Sequence, residues 1–306
     1  MAKKTEQDRV ANQTLPEKIK AFFKEFAIVF GAFLVLNSFV LASFEVPTGS
    51  MENEIMTGDF LLVNKFVFGG TTPRTIPFTN TKIPAFKLPS PWKVERGDVI
   101  VFIFPGNREE VTASEFAYYL KRCVALAGDT IRIIDKKVFI NGEPAPLPRN
   151  VQFDLRHPIQ PAGYANASIF PRGAPFNEDN YGPVVVPKEG DVITLNAQTI
   201  DAWGTFIKRE GHTVGLRGGR VLVDGVEQSS YTVQRDYVFG MGDNRDNSLD
   251  SRFWGFIPEE SVIGTPLVVY WSWNPEIQIW PLSTMINNLP SKLSTIRLGR
   301  IGNLVD

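Results

Sequence analysis

Cysteine and histidine are scarce in this chain of 306 residues, and their scarcity removes several kinds of active site. The single cysteine, Cys123, excludes an internal disulfide framework and a zinc cluster built from cysteines. The two histidines are His157 and His212, so a metal site with three histidines is impossible. If the chain catalyses a reaction at neutral pH, we expect a base other than histidine. We predict no metal and no cofactor.

An excess of charge of one sign is also lacking. The chain has 32 basic and 33 acidic residues and a net charge of −1, so no basic surface is predicted to hold a nucleic acid. Hydrophobic residues make up 43% and charged residues 21%, which excludes a disordered, collagen-like or heptad-dominated protein. The 25 glycines and 22 prolines favour a turn-rich β protein, and the length fits about two domains.

A long apolar run covers residues 26–44 and carries no charge. At ~1.5 Å per residue these positions reach ~28 Å as a helix, close to the ~30 Å hydrocarbon core of a bilayer. The alternatives are a cleaved signal peptide, which has a shorter apolar run, and a buried core helix, which would show a polar face. The polar residues of the run are only Asn37, Ser38 and Ser43. We therefore predict a transmembrane helix over residues 26–45.

The charges on either side of this run predict its orientation. Residues 1–25 contain six basic and four acidic residues, and Glu45 follows the run. Such an excess of basic residues marks the cytoplasmic side of a membrane span. We predict a cytoplasmic segment over 1–25, an extracytoplasmic domain over 46–306 and a single pass through the inner membrane.

After residue 45 the sequence changes to short β-prone runs between Gly, Pro and Asn residues. These runs cover residues 60–63, 99–104, 130–134, 138–140, 192–195, 221–223 and 262–273. Residues 114–120 are the best short helical candidate, although the end of this segment fits a strand equally well. Asn141-Gly142 and Asp224-Gly225 are typical of two-residue hairpin turns. The Gly-Asp pairs at 97–98 and 190–191 indicate turns that enter strands, with no chemistry assigned to them.

Two of the segments that could carry chemistry are short. Thr48-Gly49-Ser50 fits a tight turn that exposes the serine hydroxyl, although most serines in such turns only form local hydrogen bonds. Lys121 lies within an aromatic and aliphatic run, where a lysine most often keeps its ammonium group in water. If it is instead buried, its pKa falls and its neutral amine becomes available as a general base.

Two further segments are turns or loops by composition alone. Residues 242–255 contain three Asp, two Arg, two Asn and two Ser, a density that suits either a solvated loop or a polar network supporting a site. Residues 96–102 indicate a turn entering a buried strand.

Taken in order, these segments resemble the type I signal peptidase family of membrane-bound serine proteases. Thr48-Gly49-Ser50-Met51, with Gly58-Asp59 and Lys65, resembles the nucleophile box of the family. Residues 96–102 resemble its second box, and Lys121-Arg122 with Gly128-Asp129 resembles its lysine box. Residues 242–255 match the long family pattern GDNRDNSxDSRxWG at every specified position. The resemblance extends from the apolar run to about residue 273, and is loose over 145–235.

The resemblance implies a serine–lysine dyad in which Ser50 attacks the scissile carbonyl and neutral Lys121 takes its proton. It also implies that the Thr48 hydroxyl and the Ser50 backbone N–H form the oxyanion hole. Ser248 is expected to orient the lysine, and Asp250 and Arg252 to form a supporting ion pair. The implied fold is mainly β: an antiparallel β catalytic core with a second β subdomain inserted over about 132–235. The implied partners are preproteins with signal peptides, the lipid bilayer and the export machinery.

The sequence departs from the family pattern at two places. Asn53 and Glu54 stand where the family usually has Pro and Thr, and Ala125 and Ala127 stand where Gly and Pro are usual. These departures leave Ser50 and Lys121 in place and leave open the shape of the substrate groove.

Two other functions remain as alternatives. A self-cleaving serine–lysine peptidase of the repressor type has a related β core, but it carries a DNA-binding module in place of an anchor, and this sequence shows none. An inactive, membrane-tethered β scaffold or chaperone would keep the β pattern. It would have no need for Ser50 and Lys121 together with the intact 242–255 run.

Overall fold

The computed structural model describes residues 14–72, 81, 83–279 and 281–305. Its helices are α1 (Leu15–Phe39), α2 (Ile200–Arg209), α3 (Ser251–Trp254) and α4 (Leu282–Leu293). Its first strands are β1 (Leu41–Glu45), β2 (Asp59–Asn64), β3 (Val99–Ile103), β4 (Tyr118–Ala125), β5 (Thr130–Ile134), β6 (Lys137–Ile140), β7 (Glu143–Pro144) and β8 (Tyr181–Val185). The later strands are β9 (Val192–Thr194), β10 (Val214–Arg217), β11 (Arg220–Val223), β12 (Val226–Glu227), β13 (Ser230–Thr232), β14 (Tyr237–Met241), β15 (Ile257–Pro258) and β16 (Val262–Ser272). The mainly β class predicted from the sequence is confirmed.

A seven-stranded antiparallel sheet organises the molecule, with strand order β1-β2-β16-β3-β4-β14-β15. Strand β3 is buried along most of its length, as its continuous apolar sequence favours. Strand β4 lies between β3 and β14, so both of its backbone edges are paired. Its central residues are therefore held in fixed positions inside the protein.

The chain between β4 and β14 forms three smaller sheets, ordered β7-β6-β5-β8, β10-β11-β12 and β13-β9. Their apolar residues, such as Ile131 and Val223, pack in one cluster with Phe239 of β14 and with Phe256. The inserted segment thus shares its core with the central sheet. A separate β subdomain over 132–235 stays a prediction.

The first helix differs from the transmembrane helix predicted over 26–45. It begins earlier, where Thr14 and Glu17 form a capping box, and it ends at Phe39. Residues 41–45 are instead strand β1, which pairs with β2 along its whole length. Only residues 26–39 of the charge-free run are therefore helical, about 21 Å at ~1.5 Å per residue, which is less than the ~30 Å of a bilayer core.

In the part of the chain that the structure describes, no helix combines the length and the apolar character needed to cross a membrane. The prediction of a transmembrane helix over residues 26–45 is therefore corrected: the helix ends at Phe39, and residues 41–45 form β1. Residues 1–13 of the predicted cytoplasmic segment 1–25 lie outside the described part of the chain.

The strands predicted between residues 60 and 273 are confirmed to within a few residues, but the helices are not. Residues 114–117 form no helix, and β4 begins at Tyr118, because pairing with β3 and β14 outweighs local helix propensity. Helix α2 was missed, although Ile200, Trp203 and Ile207 recur at helical spacing on its inner side. Helix α4 was also missed.

Candidate active site

Ser50 and Lys121 are 71 positions apart in the sequence and meet in the structure. Lys121 Nζ donates a hydrogen bond to Ser50 Oγ at 2.6 Å. Ser50 lies in the turn after β1 and is half-buried, and Lys121 lies in β4, where its side chain is buried. A short distance between a hydroxyl and an amine is the geometry required for proton transfer between them.

The surroundings of Lys121 lower its pKa to about 8, chiefly because burial disfavours the charged ammonium. The nearby carboxylates of Asp250 and Asp243 oppose this shift, and the Arg252 cation adds to it. Gly240 of β14 allows the close packing, because a Cβ at this position would lie 3.0 Å from the Cβ of Lys121. The amine is thus substantially neutral at a mildly alkaline pH.

Ser50 and Lys121 lie in a groove of about 780 Å³. Its wall includes Thr48, which is exposed, and Ser248. The apolar side chains along it are Phe44, Val46, Met51, Leu61, Val101, Tyr118, Leu120, Leu249 and Phe253. The Ser50 backbone N–H has no hydrogen-bond acceptor among the described residues, so it is available to a bound group.

Asp250 and Arg252 form a buried ion pair behind the groove. Arg252 Nε donates to Asp250 Oδ1 at 2.9 Å, and Nη2 donates to Oδ2 at 2.8 Å. The Gly242 N–H also donates to Asp250, at 3.1 Å. This pairing holds the pKa of Asp250 below its usual value although burial alone would raise it. The predicted ion pair is therefore present.

Ser248 is buried, but the structure does not join it to Lys121. Within the described residues its Oγ has no hydrogen-bond partner. It packs against Gly242, where a Cβ would lie 2.2 Å from Ser248 Oγ and 2.5 Å from the Ser50 carbonyl oxygen. Only glycine at position 242 lets the two serine segments approach this closely.

A second buried ion pair, which was not predicted, joins Arg122 to Asp243. Arg122 Nη2 donates to Asp243 Oδ2 at 2.6 Å, and Nη1 donates to the Gly97 carbonyl at 2.8 Å. The next residue, Asn244, binds the turn that contains Ser50. Its Nδ2 donates to the Gly49 carbonyl at 3.0 Å, and its backbone N–H donates to the Ser50 carbonyl at 3.1 Å. Arg122, Asp243 and Asn244 all belong to the sequence motifs described above. The groups that they contact, however, depend on how β4, β14 and the turn at Ser50 pack together.

The positions that depart from the family pattern lie away from the groove wall. Asn53 has a φ of 80°, in the left-handed region that asparagine tolerates and proline cannot adopt. Glu54 accepts a hydrogen bond from Asn150 Nδ2, and Ala125 is buried in the core. None of these three, nor Ala127, is among the described residues that line the groove.

The described residues contain no cluster of metal-binding side chains: no group of three or more His, Cys, Asp or Glu among them could hold a metal ion. The turns at Gly97-Asp98 and Gly190-Asp191 are as predicted: Asp98 accepts from the Glu95 N–H at 2.8 Å, and Asp191 from the Lys188 N–H at 2.9 Å.

Comparison with known proteins matches the family described as "Signal peptidase, peptidase S26" over residues 19–271. The chain belongs to this family. The expected resemblance is confirmed, and membership makes the chain a peptidase by family. Signal peptidase I of Buchnera aphidicola subsp. Schizaphis graminum is 28% identical over 310 residues, which cover 96% of this chain and 85% of the relative. Signal peptidase I of Pseudomonas fluorescens is 30% identical over 270 residues, which cover 85% and 73%.

The similarity to a solved structure is low. The crystal structure of a signal peptidase I from Enterococcus faecalis V583 is 23% identical, covers 56% of this chain and 96% of that chain, and has a TM-score of 0.25. Membership in the family therefore rests on the sequence matches.

Proposed function

We propose that this chain is a serine endopeptidase that removes signal peptides from exported preproteins, with Ser50 as nucleophile and neutral Lys121 as general base. The observation that carries the proposal is the 2.6 Å contact between Lys121 Nζ and Ser50 Oγ in an open groove. Burial that lowers the pKa of a lysine costs stability, but the neutral amine it produces can serve as a base near neutral pH.

The reaction follows from the positions of these groups. Neutral Lys121 takes the hydroxyl proton as Ser50 Oγ attacks the scissile carbonyl, and it then gives that proton to the departing amine. Hydrolysis of the resulting acyl-enzyme by water regenerates both groups. The Ser50 N–H and the Thr48 hydroxyl are proposed to donate to the oxyanion of the tetrahedral intermediate.

The buried residues behind the groove are proposed to hold the lysine in place. The Asp250–Arg252 pair fixes the backbone at Gly242, because Asp250 also accepts from the Gly242 N–H. Ser248 lies against this glycine beside the Ser50 carbonyl and lines the same groove as Lys121, and its hydroxyl is proposed to orient the Lys121 amine in a substrate complex.

The substrate is proposed to bind as an extended strand beside β1, the edge strand of the central sheet. Phe44 and Val46 of this region line the groove. Successive side chains of an extended peptide point to opposite sides, so alternate residues enter apolar pockets. As expected from the family, we propose a requirement for small residues at the first and third positions before the cut.

Incubation of the purified protein with a preprotein in detergent tests this function. We expect mass spectrometry to find one new N-terminus after the signal peptide. Phe or Asp at either of the two small-residue positions is expected to lower kcat/KM by about 100-fold or more, through steric clash or an unpaired buried charge.

Equal processing of Ala and Phe next to the cut would refute the small-residue pockets. No cleavage at all would instead favour the inactive scaffold.

We also propose that the exposed apolar surface of α1 attaches the domain to a lipid bilayer. Ser38 is the one buried residue among those described in α1. Its exposed large apolar side chains are Leu15, Ile19, Phe22, Phe23, Phe26, Ile28, Val29, Phe33, Val35 and Leu36. An apolar surface of this extent calls for a nonaqueous partner, and the acyl region of a bilayer surface is one.

A tag at the C-terminus tests this arrangement. We expect the tagged protein to remain in the membrane pellet after washing with alkaline carbonate. Release into the wash would contradict attachment through α1.

A further inference from the structure

The turn between β5 and β6 has an unusual residue at its second position. Two-residue hairpin turns lie at 135–136, 141–142, 218–219 and 224–225 in the described part of the chain. Both residues of each turn have a positive φ. Glycine occupies the second position in the last three of these turns. In the first turn this position is Lys136, with a φ of 68°. Residues other than Gly, Asn and Asp rarely adopt this backbone conformation.

The side chain of Lys136 reaches a residue of the catalytic groove. Its Nζ donates to Asp246 Oδ1 at 2.6 Å and lies 3.6 Å from Asp179 Oδ1. The Lys136 side chain is 12% exposed and that of Asp246 is 9% exposed, so this contact is largely shielded from water. The other oxygen of Asp246 accepts from the Asp154 N–H at 2.7 Å.

Asp246 connects this ion pair to the catalytic serine. It belongs to the short turn Arg245–Asn247, which lines the groove and leads directly into Ser248. Ser248 in turn packs on Gly242 beside the Ser50 carbonyl. A displacement of Asp246 would therefore move Ser248 relative to Ser50 and Lys121.

We propose that Lys136 is a positioning residue, whose ammonium group holds Asp246 and thereby fixes the segment 246–248 against the catalytic turn. The proposal rests on the proposed peptidase function. It explains why a lysine occupies a turn position that glycine fits better: the ion pair with Asp246 requires a long cationic side chain at this place.

The variant Lys136→Gly separates positioning from folding. Glycine adopts the left-handed conformation freely, so the turn is kept and part of the lost stability is regained. Asp246 and Asp179 lose their shared cation, so the melting temperature is expected to fall, and activity is compared well below it. The ammonium group is lost, and we expect kcat for preprotein cleavage to fall about tenfold, because catalytic groups misplaced by ~1 Å lose up to about 100-fold in rate. Lys137→Met, which removes an exposed lysine from the next position, is the matched control and should cleave like the wild type.

A pH profile gives a second measurement, which a purely structural role would not change. If segment 246–248 loosens, water reaches Lys121, and the inflection of kcat/KM moves from about 8 toward the ordinary lysine value of 10.5. In a double-mutant cycle, Lys136→Met is expected to lower kcat by less than about twofold when Asp246 is already Asn, because both changes break one interaction.

Wild-type kcat and an unchanged inflection in Lys136→Gly would overturn the positioning role while leaving the peptidase function intact. Full additivity with Asp246→Asn would equally overturn it. Failure of the wild type to cleave any preprotein would instead remove the proposed function on which this role rests.

Discussion

Replacement of Ser50 by Ala or of Lys121 by Arg is expected to abolish preprotein cleavage. Ser50→Ala removes the nucleophile, and removal of a nucleophile or its base in a serine peptidase costs up to about 10⁶-fold in kcat. Lys121→Arg keeps a positive charge, but a guanidinium group stays protonated and cannot accept the Ser50 proton. The measurement is single-turnover cleavage of a preprotein by each purified variant.

The wild-type rate is expected to depend on pH in one direction. Lys121 must be neutral to act as a base, and its pKa is lowered to about 8. Below pH 8 the protonated fraction dominates, so kcat/KM should fall about tenfold for each pH unit, and it should level off above pH 8. A profile that is flat between pH 6 and 9 would contradict this assignment.

Stability provides the control for these variants. Burial lowers the pKa of Lys121 from 10.5 to about 8, so folding disfavours the ammonium group, by an amount on the order of 3 kcal/mol at pH 7. This cost is fully present below pH 8 and disappears as the pH rises toward 10.5. Lys121→Met should therefore be inactive, yet melt at a higher temperature than the wild type at pH 7. An inactive variant with a raised melting temperature cannot owe its inactivity to unfolding.

An active Lys121→Arg enzyme would show that another group takes the proton. Ser50→Ala is expected to melt close to the wild-type temperature, because a half-buried serine in a turn contributes little to stability.

Replacement of Thr48 by Val is expected to lower kcat by ~10²–10³-fold with little change in KM. The threonine hydroxyl is proposed to donate to the oxyanion, and a donor that strengthens only as negative charge develops stabilises the transition state by about 2.7–4 kcal/mol. Thr48 is exposed on the groove wall beside Ser50, so its hydroxyl can face a bound substrate. The change to Val keeps the β-branched shape and removes the hydroxyl alone.

Thr48→Ser is the matched variant, because it keeps the hydroxyl and should retain much of the rate. If Thr48 forms only a local turn hydrogen bond, Thr48→Val should instead lose about 1 kcal/mol of stability and keep its kcat. Cleavage by Thr48→Val within about threefold of the wild type would exclude the oxyanion role.

The first helix illustrates where a one-dimensional pattern misleads. Residues 26–44 carry no charge and are mostly apolar, and nothing in this run marks residue 40 as the end of a helix. The end is set by β2, whose backbone pairs with residues 41–45 and takes them into the sheet. Strand pairing is a long-range interaction, so the local sequence could not reveal it.

The candidate site shows a similar division. The family pattern identified Ser50, Lys121, Asp250 and Arg252, and the structure places the first two in contact and the last two in an ion pair. The pattern did not reveal the contact between Arg122 and Asp243, because this contact depends on the register of β4 against β14. It also implied that Ser248 orients the lysine, which stays a prediction, since the Ser248 hydroxyl has no hydrogen-bond partner among the described residues.

The sequence by itself determined the mainly β class, the positions of seven of the sixteen described strands and membership in the signal peptidase family. It also excluded a metal site with three histidines and a zinc cluster built from cysteines. These properties follow from composition, from alternating apolar residues and from the spacing of short motifs. The tertiary structure alone decided that Lys121 is buried 2.6 Å from Ser50, with a pKa lowered to about 8. Burial and distance arise from the packing of segments far apart in the chain, and they determine the protonation state on which the proposed chemistry depends.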